Sequence, residues 1–252
     1  MTDSAQAQRA LSFDTAADQY DAARPGYPPA LFDAVEELVG RPLTGAQAVD
    51  VGAGTGIATR LLRERGARVT AVEPGAGMAS RFRRSLPGVP LVRGVGDALP
   101  LADASADVVT YAQSFHWTDP ARSLPEALRV LRPGGALALW WNVADADVPW
   151  IAAQGERLMC DFADAAHGRP GGADRALPDD VPRAERRVYW TRRVPLDTHL
   201  ANLGSHSLFL VAGKEAARAF LDRERAELLR LFPDGSVEEA YAVDLMVTRR
   251  PA

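Results

Sequence analysis

Apolar positions along this chain follow two rhythms, and their alternation predicts the architecture. Short, nearly unbroken apolar runs at residues 48–51, 68–72, 89–93, 107–111 and 136–142 read as strands covered on both faces. Between them, apolar residues recur at helical spacing over residues 28–40, 57–65, 77–85 and 124–131. Pro28-Pro29 opens the first of these helices, Gly66 closes the second, and Pro133-Gly134-Gly135 stops the fourth. Such alternation predicts an α/β fold: a doubly wound, mostly parallel seven-stranded sheet with helices on both faces.

The rhythm changes beyond residue 143. A helical run at 151–163 is followed by a Gly/Pro-rich loop over 167–182. A strand at 186–191, helices at 196–203 and 214–231, and a last strand at 240–248 complete the chain. Four regions follow from this order: an N-terminal lid and helix (1–40), a Rossmann-like core (41–143), a cap insertion between strands five and six (144–185), and a C-terminal completion of the core (186–252) that can also contribute to the cap. The cap is expected to cover the mouth of the site.

Composition narrows the class. The 252 residues are 47% apolar and 25% charged with a formal net charge of -4, and no basic tract stands out, so a grip on nucleic-acid phosphates is not expected. The arginines at 81, 83 and 84 read as a solvated helix face. With one cysteine, Cys160, no disulfide forms within the chain, and its apolar helical setting marks it as buried filler. No run of 18 apolar residues exists, and residues 1–9 are polar, so the expected setting is the cytoplasm without membrane contact. Four histidines (His116, His167, His199, His206) lack metal-ligand spacing, so no metal is expected. Oligomeric state is not encoded legibly.

Candidate chemistry sits at the first strand's end. Asp50-Val51-Gly52-Ala53-Gly54-Thr55-Gly56 joins strand to helix, and Glu73 ends the next strand 17 residues beyond Gly56. Glycines there permit close backbone approach, and a strand-end acid can accept both hydroxyls of a ribose. The spacing is not the Gly-x-Gly-x-x-Gly of nicotinamide cofactors, although a nicotinamide-dependent oxidoreductase remains the competing enzyme reading. Asp50 would repel a pyrophosphate but suits an ammonium group, directly or through water. A ligand with an adenosine head and a cationic amino-acid tail fits, and S-adenosyl-L-methionine is one.

These residues resemble the class I S-adenosylmethionine-dependent methyltransferases of the small-molecule type. Residues 49–56 match that family's first motif, and Ala71-Val72-Glu73-Pro74 with Met78 its second. Gly96-Asp97-Ala98-Leu99-Pro100 is similar to the third, Gln113-Ser114-Phe115-His116-Trp117 to the motif after strand four, and residues 131–135 to the turn before strand five. The N-terminal Phe13, Ala17, Tyr20-Asp21, Arg24-Pro25 and Tyr27-Pro28 resemble a front end that closes over the cofactor. The resemblance implies cofactor contacts from Tyr20, Asp50, Gly52, Ala53, Gly54, Glu73, Pro74, Met78, Asp97, Ala98 and Gln113, with Asp97 receiving the adenine amino group.

The first reading is therefore methyl transfer to a small-molecule acceptor, at oxygen by preference (phenol, hydroxyl or carboxylate) with nitrogen and carbon open, chiefly through alignment and exclusion of water. His116 is the candidate base or substrate-orienting donor, with loop ordering as its alternative. Arg24, Trp117, Trp141, Asn142, Ser205 and His206 are candidate acceptor contacts, and Trp150, Met159, Phe162 and Trp190 are cap contributors. Ser205 and His206 serve equally well as helix caps. No Gly-x-Ser-x-Gly elbow supports a hydrolase. A cofactor-binding regulatory protein without transfer activity stands as the reading from a different class.

Overall fold

The computed structural model describes residues 24–166 and 177–251. Tyr20, His167 and the rest of the N-terminal lid motif before Arg24 lie outside the described residues. The expected seven-stranded sheet is present, in the order β3-β2-β1-β4-β5-β7-β6. The strands are β1 (Gln47–Val51), β2 (Arg68–Val72), β3 (Leu91–Val92), β4 (Ala106–Ala112), β5 (Leu131–Ala144), β6 (Ala184–Pro195) and β7 (Ser236–Arg249). Strands β1 to β5 pair in parallel, and β7 runs antiparallel to both β5 and β6. The order reverses between β1 and β4, so their carboxyl ends form the crevice where open α/β sheets bind ligands.

Helices α1 (Pro29–Val39), α2 (Ile57–Glu64), α3 (Ala76–Ser85) and α4 (Pro120–Val130) connect or precede these parallel strands. Consecutive residues of β5 show why both faces must be covered. Trp140 packs with Leu31, Phe32, Val35 and Leu62 of α1 and α2, while Trp141 packs with Leu124, Ala127 and Val130 of α4. Alternate side chains of a strand point to opposite faces, so an all-apolar strand demands two apolar neighbours.

Several elements depart from the pattern-based boundaries. Strand β3 shrinks to two residues, because Pro90 has no N–H for the ladder and Arg93 turns its guanidinium to the Glu73 carbonyl. Helix α4 starts at Pro120 rather than near 124. Asp119 caps it by accepting from the Ala121 amide at 3.0 Å, and Pro125 is tolerated inside it. The short helix α7 (Ser207–Ala212) follows His206, where the sequence suggested only a polar patch.

Beyond β5, helix α5 (Pro149–Ala166) lies between β5 and β6, while α6 (Leu196–Gly204), α7 and α8 (Lys214–Leu231) lie between β6 and β7. The two insertions share one apolar cluster, with Leu158 and Phe162 of α5 against Leu203, Leu208, Phe209 and Phe220. Cys160 is exposed, which corrects its expected place as buried filler: it lies on the helix face away from that cluster. Met159 also faces outward at 47% exposure.

A polar seam ties the same helices to the sheet. Glu224 accepts a bidentate pair from Arg157, at 2.5 and 2.8 Å, and a bond from Gln154 at 3.1 Å. Gln154 meets His199 Nε2 at 3.2 Å, His199 Nδ1 meets Glu239 at 2.7 Å, and Arg192 donates to Glu239 at 2.5 Å. Burial opposes ionisation of Glu239, but bonds from His199 and Arg192 outweigh it and hold its carboxyl down at about 2.

The core also holds an acid. Asp50, on β1, is fully buried, and its two oxygens accept from the Thr59 hydroxyl at 2.6 Å and the Thr110 hydroxyl at 3.1 Å. Burial pushes this carboxyl up to about 6, with the threonine bonds pulling the other way. The folded state therefore holds its proton where the unfolded chain has lost it. This contribution to stability is complete below pH ~4 and is lost as pH rises through about 6.

Two outcomes follow. Replacing Asp50 by Asn removes this titration, so the stability difference between wild type and Asp50→Asn, measured by urea unfolding, shifts against the wild type by about 3 kcal/mol between pH 4 and 7. Glu224→Ala strips Arg157 of its carboxylate and is expected to cost about 3 kcal/mol in the same assay.

Candidate functional site

The loop after β1 is a left-handed turn that only glycines fit easily. Gly52, Gly54 and Gly56 have φ of 68°, 57° and 96°. Two of them also lack room for a side chain: a Cβ on Gly52 would lie 2.5 Å from Ser114 Cβ, and one on Gly56 would lie 2.6 Å from Leu86. At Gly54 a Cβ would meet nothing within 4 Å, so the chain is open to close approach there.

Glu73 holds this loop in place. Its Oε2 accepts from the Gly54 amide at 2.8 Å and its Oε1 from the Gly75 amide at 2.7 Å. The Gly52 and Ala53 amides both donate to the Val72 carbonyl, tying the loop to the end of β2. Arg93 braces the same turn from the other side by donating to the carbonyls of Glu73 and Pro74. Met78, on α3, is buried beyond it. Each Glu73 oxygen has two lone pairs, so acceptance from the loop leaves capacity for ribose hydroxyls.

Asp50 lies beneath this loop rather than in its mouth. Full burial and two threonine partners leave it supporting the turn from below, so it does not meet a cationic tail directly. Asp97 follows β3 in a stretch pinned by α4: Glu126 accepts from the Leu99 amide at 2.8 Å, and Arg129 donates to the Leu99 carbonyl at 2.9 Å. One Asp97 oxygen accepts from the Asp119 amide at 3.0 Å, and neighbouring Ala98 is exposed.

The end of β4 carries backbone strain. Gln113 sits at φ 60°, a region that residues other than glycine seldom occupy. Its amide donates to the Trp140 carbonyl and its side-chain Nε2 to the Asn142 carbonyl, both at 2.9 Å. Ser114 donates to the Val51 carbonyl at 2.5 Å, fastening this turn to the glycine loop. The 3₁₀ turn Phe115–Trp117 follows, with the His116 and Trp117 rings 4.7 Å apart.

Trp141 donates its indole N–H to His116 Nδ1 at 3.0 Å. An indole nitrogen is only a donor, so Nδ1 must accept and the imidazole proton sits on Nε2. Trp141 itself is 1% exposed. It therefore reaches the site through His116 and is not a wall of it.

Asn142 accepts from Trp190 Nε1 at 2.9 Å. Arg24 donates to the Ser205 carbonyl at 3.1 Å, which docks the N-terminal segment on the end of α6. The Ser205 hydroxyl donates to the Asn202 carbonyl at 2.6 Å, and the His206 amide to the Leu203 carbonyl, so both residues cap helices.

The structure thus gathers the candidates into three contact groups: the glycine loop with Glu73 and Ser114, the His116–Trp117–Trp141 cluster, and Gln113 with Asn142 and Trp190. Arg24 and Ser205 form a separate contact. Ser114, Thr59, Thr110 and Arg93 complete the loop's support and escaped the sequence reading. Only Ser114 lay inside a recognised motif. Among the described residues no group of three or more His, Cys, Asp or Glu is arranged to hold a metal, and no helix is long and apolar enough to cross a membrane.

Three observations suit a methyl donor with an adenosine head: the open side of Gly54, a Glu73 carboxylate held at the strand end, and Thr55, a 3%-exposed residue whose hydroxyl has no hydrogen-bond partner among the described residues. Comparison with known proteins agrees. Residues 49–139 match the methyltransferase domain family. An uncharacterized methyltransferase of Mycobacterium tuberculosis is 37% identical over 227 residues, 88% of this chain and 87% of the relative. The malonyl-[acyl-carrier protein] O-methyltransferase of Serratia marcescens is 37% identical over 132 residues, 51% of this chain and 50% of that protein. The solved structure of a protein from Anaeromyxobacter dehalogenans, assigned as a type II methyltransferase, superposes with a TM-score of 0.70 at 29% identity, covering 90% of this chain and 98% of that one. The oxidoreductase and noncatalytic alternatives fall with these matches: the chain belongs to the class I S-adenosylmethionine-dependent methyltransferases.

Proposed function

We propose that this methyltransferase acts on a small-molecule acceptor at oxygen, using S-adenosyl-L-methionine. The observation that carries the donor assignment is the Glu73 carboxylate bridging the Gly54 and Gly75 amides, which fixes the loop beside the strand-end acid. When bound, S-adenosylmethionine supplies a methyl group already activated on a sulfonium. Gly54 would admit it along the main chain, Glu73 would accept its ribose hydroxyls, and Met78 and Asp97 would meet the adenine.

The chain's remaining work is to orient the acceptor and stabilise its oxygen. His116 does this as a neutral donor through Nε2–H. Protonating Nδ1 would set two N–H groups face to face at the Trp141 bond, so the arrangement opposes a base role through an imidazolium. A donor suits an oxygen nucleophile: one lone pair takes the hydrogen bond while another attacks, and a hydroxyl acceptor gives up its own proton to water. The Serratia relative's name, an O-methyltransferase, supports oxygen, and the absence of a basic tract supports a small acceptor over nucleic acid.

Glu73→Gln turns one bond to the loop into a clash of two donors. Calorimetric titration with S-adenosylmethionine is expected to show at least a tenfold loss of affinity (roughly 1.5–3 kcal/mol for a bond to a charged group), and NADH is expected not to bind either protein. For His116, release of S-adenosylhomocysteine separates the roles. His116→Gln keeps a donor and retains turnover within about tenfold, whereas His116→Phe loses roughly a hundredfold. Equal losses in both variants would restore the base.

A further inference from the structure

The asparagines Asn142 and Asn202 share an unusual state: each has one amide atom bonded and the other buried with no hydrogen-bond partner among the described residues. On Asn142 the orphan is the donor Nδ2. Its orientation is fixed, because the Trp190 indole can only donate and so selects Oδ1. On Asn202, 6% exposed, the orphan is the acceptor Oδ1, while Nδ2 donates to the Tyr241 hydroxyl at 3.1 Å. The Trp190 and Tyr241 rings are stacked, 5.2 Å apart and inclined by 25°. One orphan donor and one orphan acceptor therefore flank a single aromatic pair.

Leaving a buried amide atom unbonded costs about 1–3 kcal/mol, so two along one contact chain call for a partner. Their position supplies it. The Asn142 carbonyl holds Gln113, whose neighbour Ser114 is fastened to Val51 beside the glycine loop. Asn142 thus stands next to the carboxyl end of β4, and Asn202 belongs to α6 in the second insertion. A carboxylate could satisfy Nδ2 but would be repelled by Oδ1. A hydroxyl both accepts and donates, and once its proton has left to water its oxygen has three lone pairs, two for Asn142 and His116 and one to attack.

We propose that Asn142 and Asn202 determine acceptor specificity, selecting an uncharged hydroxyl-bearing aromatic molecule that lies along Trp190 and Tyr241. This rests on the methyltransferase reading and narrows its acceptor class from phenol, hydroxyl or carboxylate to phenol. Trp190 is a positioning residue within it, since its indole aims the Asn142 amide.

The test uses the full chain saturated with S-adenosylhomocysteine and titrated with 2-naphthol and 2-naphthoate, which share a ring system and differ in charge. The expected result is saturable 2-naphthol binding at least tenfold tighter than 2-naphthoate. Asn142→Ala, Asn202→Ala and Trp190→Phe should each weaken 2-naphthol about tenfold, with S-adenosylmethionine affinity within about twofold of wild type. Asn142→Asp keeps an oxygen for the Trp190 bond and replaces the donor by a charged acceptor, so it too weakens 2-naphthol if the alanine variant fails to fold. Tighter binding of 2-naphthoate, no binding of 2-naphthol to the cofactor-loaded protein, or variants that bind it like wild type would each overturn the proposal. Failure of the wild type to bind S-adenosylmethionine would instead overturn the donor assignment beneath it.

Discussion

One carboxylate sets the geometry on which the rest of the site depends. Glu73 ends β2, and its two oxygens reach the amides of Gly54 and Gly75, which belong to the turns after two adjacent strands. Backbone amides in a left-handed glycine turn have no ladder partners of their own, so a charge placed among them organises the turn. Because Gly52 and Ala53 are also tied to Val72, the loop cannot shift without breaking the end of β2. Its partner across the crevice is Ser114, whose contact with Gly52 and bond to Val51 couple the strained end of β4 to the same loop. Donor side and acceptor side are thus registered through main-chain contacts, which hold position better than long side chains would.

The buried polar groups show how burial divides roles between similar residues. Asp50 and Glu73 are both strand-end acids of the first two motifs. Asp50 is shut into the core, where burial shifts it toward its neutral form against two threonine bonds, whereas Glu73 accepts from two backbone N–H groups of the turns. The helical insertions hold their buried acids with side chains instead. Glu224 and Glu239 are buried beside Arg157 and Arg192 and linked through Gln154 and His199. Such a seam gives the insertions one defined seating on β6 and β7, which an all-apolar contact would specify less sharply.

Local signals made much of this legible. The β1–loop–α2–β2 unit could be placed from residues 48 to 73 because glycine conformational freedom, apolar runs and a strand-end acid are properties of neighbours in sequence. The match at β2 was complete, Arg68–Val72, since nothing remote perturbs it. Boundaries slipped where a non-local partner decided: β5 extends to Ala144 because β7 pairs with it along nine residues, and β7 begins at Ser236 because β6 runs beside it. Cys160 looked buried because apolar periodicity in α5 is weak, and only packing against α7 and α8 chose which face turned inward.

The chain alone therefore determined the α/β architecture, the glycine turn and the acid that serves it, since these rest on backbone stereochemistry and short-range periodicity. Tertiary structure decided what each polar side chain does. The His116 tautomer depends on Trp141, 25 residues away, the Asn142 orientation on Trp190, 48 away, and the Asn202 amide on Tyr241, 39 away. Hydrogen bonds are short-ranged and directional, so a donor or acceptor acquires its role only when folding brings its partner within about 3 Å.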